Sequence, residues 1–124
     1  MNIKLKYKLK EQGVFDICKD ILEELNNNKT PAHLEGDTRI RFYTEMILDM
    51  ENELNCNVVD LLEWSARLYG FYDSALFAGA NVCIDSDRID VLIVDLHEVC
   101  QTIAREEIKH LYSSTYQEPV AFDE

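Results

Sequence analysis

The chain has 124 residues, is 47% hydrophobic and 10% aromatic, and contains only two prolines and four glycines. This composition argues against intrinsic disorder and a turn-rich β fold, and for one domain of long helices. Twenty-four acids against twelve bases give a net charge of −12, which disfavours direct binding to nucleic acid or an anionic membrane and favours a basic partner.

The charge is unevenly spread. Lys4, Lys6, Lys8 and Lys10 fall in a first ten residues that hold no acid, and between Phe42 and Asp87 nine acids face a single base, Arg67. The cysteines, Cys18, Cys56, Cys83 and Cys100, are scattered and include no Cys-x-x-Cys pair. No secretory signal and no run of apolar residues long enough to span a membrane is present, so reduced, mostly buried thiols in a cytosolic protein are expected. Two disulfides are the alternative.

In chain order, Ile3, Leu5, Tyr7 and Leu9 alternate with the four lysines, a period-two pattern that predicts a strand. Such a strand needs a partner, either another chain or a second strand around Asn81–Ile84; a basic arm or the first turns of the first helix are the alternatives. A first helix is expected from Gln12 to Asn26, with Val14, Ile17, Cys18, Ile21, Leu22 and Leu25 on its apolar face and Gly13 weakening its first turn. Asn26 to Pro31 stops it, Pro31 to Asp37 reads as a loop, and Asp37 or Thr38 caps the next helix.

That second helix, 38–54, is two-faced. Ile40, Tyr43, Ile47, Met50 and Leu54 share one side, while Glu45, Asp49 and Glu53 form a column four residues apart. Like charges at that spacing cost a helix roughly 0.2–0.5 kcal/mol per pair. Asn57 is placed to cap a third helix, Val58 to Tyr69, with Val58, Leu61, Leu62 and Leu68 inward and Gly70 as its terminator. A short helix over Ser74–Ala78 and a break at Gly79–Asn81 follow. Tyr69, Phe71, Tyr72 and Phe77 around these breaks read as core, with a binding patch as the alternative. A final helix starts after Asp85-Ser86-Asp87 and runs to about Tyr112, carrying Ile89, Leu92, Leu96, Val99 and Ile103 on one side. Its spacing matches that of the second helix, which suits packing against that helix or against another subunit.

The expected fold is therefore mainly α: a compact single-domain bundle of about four helices over 1–124. A short N-terminal β-strand or basic arm (1–10) would open it and a flexible acidic tail (117–124) would close it.

Signals for chemistry are thin. Glu107 and His110 make one Glu-x-x-His motif where a di-iron bundle needs two. A zinc site from Cys56, Cys83, His97 and Cys100 needs tertiary coincidence, as does a nucleophile pair of Cys18 or Cys56 with His33. No phosphate loop or nucleophile elbow occurs. The expectation is no enzyme, cofactor or metal.

The carboxylates are better read as a group. Acids at i and i+4 repeat at roughly 6 Å along a helix, and B-DNA carries one charge per roughly 1.7 Å of axis. Glu45, Asp49, Glu53, Asp60, Glu63, Asp87, Asp90, Asp95 and Glu98 are the candidate partner-binding residues. In size, acidity and helicity the chain is similar to phage DNA-mimic antirestriction proteins as a class, with no motif matched residue by residue. The expected function is a non-enzymatic acidic protein that blocks a basic surface, as an inhibitor of a nucleic-acid-binding enzyme or an immunity protein. The alternatives are a helical oligomerisation or regulatory module and a small metal- or thiol-dependent enzyme.

Overall fold

A computed structural model describes residues 3–27, 34, 38–53, 56–78 and 88–115. These form five α-helices: α1 (Ile3–Glu11), α2 (Val14–Asn26), α3 (Thr38–Asp49), α4 (Val58–Ala78) and α5 (Arg88–Thr115), with a 3-10 turn at Met50–Asn52. Helices α2, α3, α4 and α5 pack in a closed ring, each on its sequence neighbour and α5 back on α2, while α1 lies across α2, α5 and the 3-10 turn.

The expected N-terminal strand is instead α1. The alternation of Lys with apolar residues fits both periods, and burial decides between them. Leu5 and Leu9, one helical turn apart, are fully buried, whereas Tyr7 between them is 71% exposed. A strand would put all three on one face. The suggested partner strand at 81–84 lies outside the described residues.

Gly13 is the joint between α1 and α2, not a weak position within a helix. Its φ of +78° is left-handed, a region that costs other residues about 1–2 kcal/mol. In that conformation its N–H donates to the Lys10 carbonyl (3.1 Å) and its own carbonyl accepts from the Ile17 N–H (2.9 Å), closing one helix and opening the next.

Helix α3 buries Ile40, Thr44 and Ile47. The Thr44 hydroxyl donates to the Ile40 carbonyl at 2.6 Å, which satisfies it within the helix. The helix ends earlier than its pattern suggests, tightening into the 3-10 turn that buries Met50 before the backbone becomes extended at Glu53. Asn57 caps α4 as expected, its side-chain oxygen accepting from the Val59 N–H at 2.8 Å.

Helix α4 then runs unbroken through Gly70, merging the two helices expected there. Gly70 is exposed, and nothing within 4 Å would meet a Cβ added to it. Glycine inside a helix costs about 0.5–1 kcal/mol, less than the roughly 1.5–3 kcal/mol from burying one large apolar side chain. Leu61, Leu68 and Tyr72 flank it on the buried face.

Helix α5 places Ile89, Leu92, Ile93, Leu96, Cys100 and Ile103 in the core and continues to Thr115, past its expected end. The proposed caps at Asp37 and at 85–87, the tail at 117–124 and the loop at 31–37 lie outside the described residues, except for Leu34, which is buried in the core. The matched apolar faces of α3 and α5 do not pack on each other as expected. Their extensive contacts are with α2 and α4, so the two helices face across the core.

Ion pairs mark the seams. Lys8 meets Glu106 at 3.4 Å between α1 and α5, and Lys19 meets Glu51 at 3.5 Å between α2 and the 3-10 turn. Arg88 bridges α5 to Asp20 (3.4 Å) and the largely buried Glu24 (3.3 Å) of α2. Among the described residues no helix is long and apolar enough to cross a membrane.

Cys18, Cys56 and Cys100 are free and buried. Burial pushes the Cys100 thiol up to about 12. It also pushes Cys56 up to about 11, where Lys6 opposes the shift and Glu53 and Asp60 add to it. Cys18 is raised by burial first, then by Cys100 and Glu51.

Gly13→Ala lowers stability by about 1 kcal/mol, whereas Gly70→Ala raises it by about 0.5–1 kcal/mol; urea denaturation of both variants checks this, and shifts of the same sign contradict it. The raised thiols remain protonated in the folded chain after they ionise in the unfolded one. Their contribution is whole below the unfolded pKa of about 8.5 and is lost as pH rises, by up to about 1.4 kcal/mol per thiol per pH unit. Between about pH 8 and about pH 10, Cys100→Ala therefore loses about 2 kcal/mol less stability than the parent chain in the same assay.

Candidate partner-binding surface

Helix α3 turns one stripe outward. Phe42, Glu45 and Asp49 follow at spacings of three and four and are all exposed, Phe42 at 52%. Among the described residues no ion pair reaches either carboxylate. Glu53 is also exposed, but it lies beyond the 3-10 turn in extended backbone and leaves the helical column.

The other predicted acids divide. Asp60 is half-buried in the first turn of α4, where a carboxylate favours the positive end of the helix dipole. Glu63 is exposed on α4 and accepts from Arg67 Nε at 3.1 Å. Asp95 and Glu98 are exposed on α5, across the bundle from α3. Asp87 lies outside the described residues. Asp90, expected on the acidic surface, is instead buried, only 5% exposed, and does not contribute to an outer face. Its charge acts inward, adding to burial in raising the Tyr72 hydroxyl. The acids thus form separate faces on α3 and α5, not one continuous lattice.

Beside the α3 stripe lies an aromatic patch that hydrophobic spacing alone did not reveal. Tyr43 stacks on Phe71 (5.5 Å between centroids, 19° between planes) and tilts against Trp64 (5.8 Å). Phe42 meets Tyr43 edge-on at 5.0 Å. The Arg39 guanidinium carbon lies 4.2 Å from the Phe71 centroid, a cation–π geometry. Tyr43, Trp64 and Phe71 are half-buried, so this ladder seals the α3–α4 seam and also reaches the surface. The signal in the sequence is Arg39/Tyr43 at i, i+4 opposite Trp64/Phe71 at i, i+7 on an antiparallel neighbour.

The aromatic cluster read as core is split by helical phase. Tyr72 is buried, Tyr69 stacks on His97 at 4.3 Å, Phe71 faces α3, and Phe77 is 82% exposed.

His97 belongs to a polar seam between α4 and α5. Its Nδ1 lies 3.3 Å from the Ser65 carbonyl oxygen, and Gln101 Nε2 donates to Ser65 Oγ at 3.1 Å. Ser65 Oγ in turn donates to the Leu61 carbonyl at 2.8 Å. His33 and Cys83, two of the suggested ligands or nucleophile partners, lie outside the described residues. Among the described residues no group of three or more His, Cys, Asp or Glu is placed to hold a metal ion. Thiols raised by burial are poor nucleophiles at neutral pH, which applies to Cys18, Cys56 and Cys100 alike.

Compared with protein-family models, curated proteins and solved structures, the chain shows no match.

Proposed function

We propose that this chain is a non-enzymatic binding protein that docks the α3–α4 face onto a basic surface of a partner macromolecule. The observation that carries this reading is the exposed Phe42–Glu45–Asp49 stripe beside the Tyr43–Trp64–Phe71 ladder. Aromatic side chains and arginine are enriched at interface cores, and charged groups suit the rim. The aromatic patch supplies apolar area to bury. The two acids supply steering toward positive charge, which raises association rate and makes it salt-sensitive.

An inhibitor that occupies the nucleic-acid groove of an enzyme, of antirestriction or anti-defence type, fits this description, as does an immunity protein against a basic toxin. In either form the acids replace phosphates or pair with the lysines and arginines that would hold them.

Self-association is the second reading, and one observation favours it. Val59 (62% exposed) and Phe77 (82% exposed) are five helical turns apart on the same outward side of α4 as Ala66 and Gly70. The apolar faces of α3 and α5, the more obvious candidates in the sequence, are occupied by the chain's own core. Light scattering separates the cases: a monomer at low and high salt removes the second reading.

The docking reading is tested by capturing partners at low salt, identifying them, and measuring affinity for the purified partner. The Glu45→Gln/Asp49→Gln variant loses at least about tenfold in affinity at low salt, and Phe42→Ala a similar amount that high salt does not erase. Asp95→Asn/Glu98→Gln, on the far face, leaves affinity within about twofold. Intact binding by the α3 variants would refute the assignment of the face.

A further inference from the structure

Helix α1 has two unlike flanks. One borders a groove against the last turns of α5, lined by Tyr7, Lys8, Glu11, Glu106, Glu107 and His110. That flank is acidic, and its one ammonium, on Lys8, is already held by Glu106. On the other flank stand Lys6 and Lys10, one helical turn apart and turned away from Lys8. Lys10 is exposed and Lys6 half-buried. Among the described residues no carboxylate pairs with either. Between the flanks Tyr7 is 71% exposed, and among the described residues no ring contact reaches it. In a chain of net charge −12, two unpaired lysines beside a bare aromatic ring form an unfilled basic face.

The chain itself supplies a matching segment. Helices α1 and α5 run antiparallel: Gln12 shares a groove with Glu98 and Thr102, and Tyr7 shares one with Glu107 and His110. The end of α5, at Thr115, therefore lies toward the first residues of α1. The nine residues that follow, 116–124, hold Glu118, Asp123 and Glu124, no lysine or arginine, and the apolar Val120 and Phe122. Nine residues reach about 30 Å when extended. Helix α5 runs only roughly 8 Å past His110, and α1 is only roughly 14 Å long. The segment is long enough to double back and cover α1. Its attachment to α5 gives it an effective concentration of order millimolar at that face, so pairs that are weak one by one suffice together.

We infer that residues 116–124 dock across the outer face of α1. Glu118, Asp123 and Glu124 pair with Lys6 and Lys10, and Val120 and Phe122 cover Tyr7. The acidic groove repels this segment and directs it to the lysine flank. Burial of the Tyr7 ring under an aromatic side chain adds apolar area to the ion pairs. Docked in this way, the segment withholds the basic face of α1 from the acidic faces of other copies. The contact is within one chain, and it stands or falls independently of the α3–α4 face.

The test is backbone nitrogen-15 relaxation of the full chain at about 0.1 M NaCl, where charges act over about 10 Å. Amide order parameters over 118–122 are expected above about 0.6, the level below which backbone counts as flexible. Lys6→Glu/Lys10→Glu lowers them below that level, and so does Glu118→Lys/Asp123→Lys/Glu124→Lys. Combining the two sets restores the order, because the pairs re-form with their signs exchanged. Unchanged amide shifts in α2 to α5 check that each variant is folded. If the lysine variant is not, the segment variant, which leaves every described helix intact, decides alone. The inference is overturned if the parent segment falls below about 0.6, or if its order survives both charge reversals. It is also overturned if the order grows with protein concentration, which would place the segment on a second copy.

Discussion

Everything in this fold depends on one conflict: four apolar helix faces must close around a common core while an excess of acids is kept outside it. The two sides are unequal in size. Each large core side chain contributes roughly 1.5–3 kcal/mol on burial, whereas an exposed ion pair contributes roughly 0–1 kcal/mol. Burial of Ile21, Ile40, Ile47, Leu61, Leu68, Ile93 and Leu96 therefore sets the architecture. The charges adapt to it. Three bases sit at the seams, Lys8, Lys19 and Arg88, and tie neighbouring elements together. Among the described residues no ion pair reaches Glu45 and Asp49 on α3 or Asp95 and Glu98 on α5.

That division explains which features were legible in the sequence. Helices α2 and α5 were, because their apolar residues recur at three and four and bury the side that the spacing indicates. The Asn57 cap was legible because an asparagine ahead of an apolar-periodic run has one economical use. Helix α1 was misread because Leu5 and Leu9 satisfy a period of two and a turn of four equally, and only the presence of α2 and α5 beneath them selects the helix. Gly70 was misread because a local propensity of under about 1 kcal/mol was set against burial several times larger.

The candidate surface was legible in part for the same reason. Glu45 and Asp49 are exposed because the opposite side of α3 is core, a one-dimensional fact. Asp90, between Ile89 and Val91 in the chain, is buried because its phase on α5 turns it toward Tyr72 on α4, and phase alone does not say which neighbour is present. The aromatic ladder needs two helices in register, so Tyr43, Trp64 and Phe71 carry no joint signal until α3 and α4 are placed side by side. Glu107 is similar: its single Glu-x-x-His motif falls short of a di-iron set in the sequence, and only the packing of α1 over α5 makes it the wall of a groove.

We propose that the outer acids serve binding and work against folding. The most direct measurement is the thermal midpoint of the isolated chain as NaCl rises from about 0.01 M to about 1 M, over which the screening length falls from about 30 Å to about 3 Å. If the outer acids repel one another without structural compensation, the midpoint climbs steadily as salt screens them. A midpoint that falls, or does not move, would mean that the ion pairs at the seams balance the acids and that the surface charge is part of what holds the fold together.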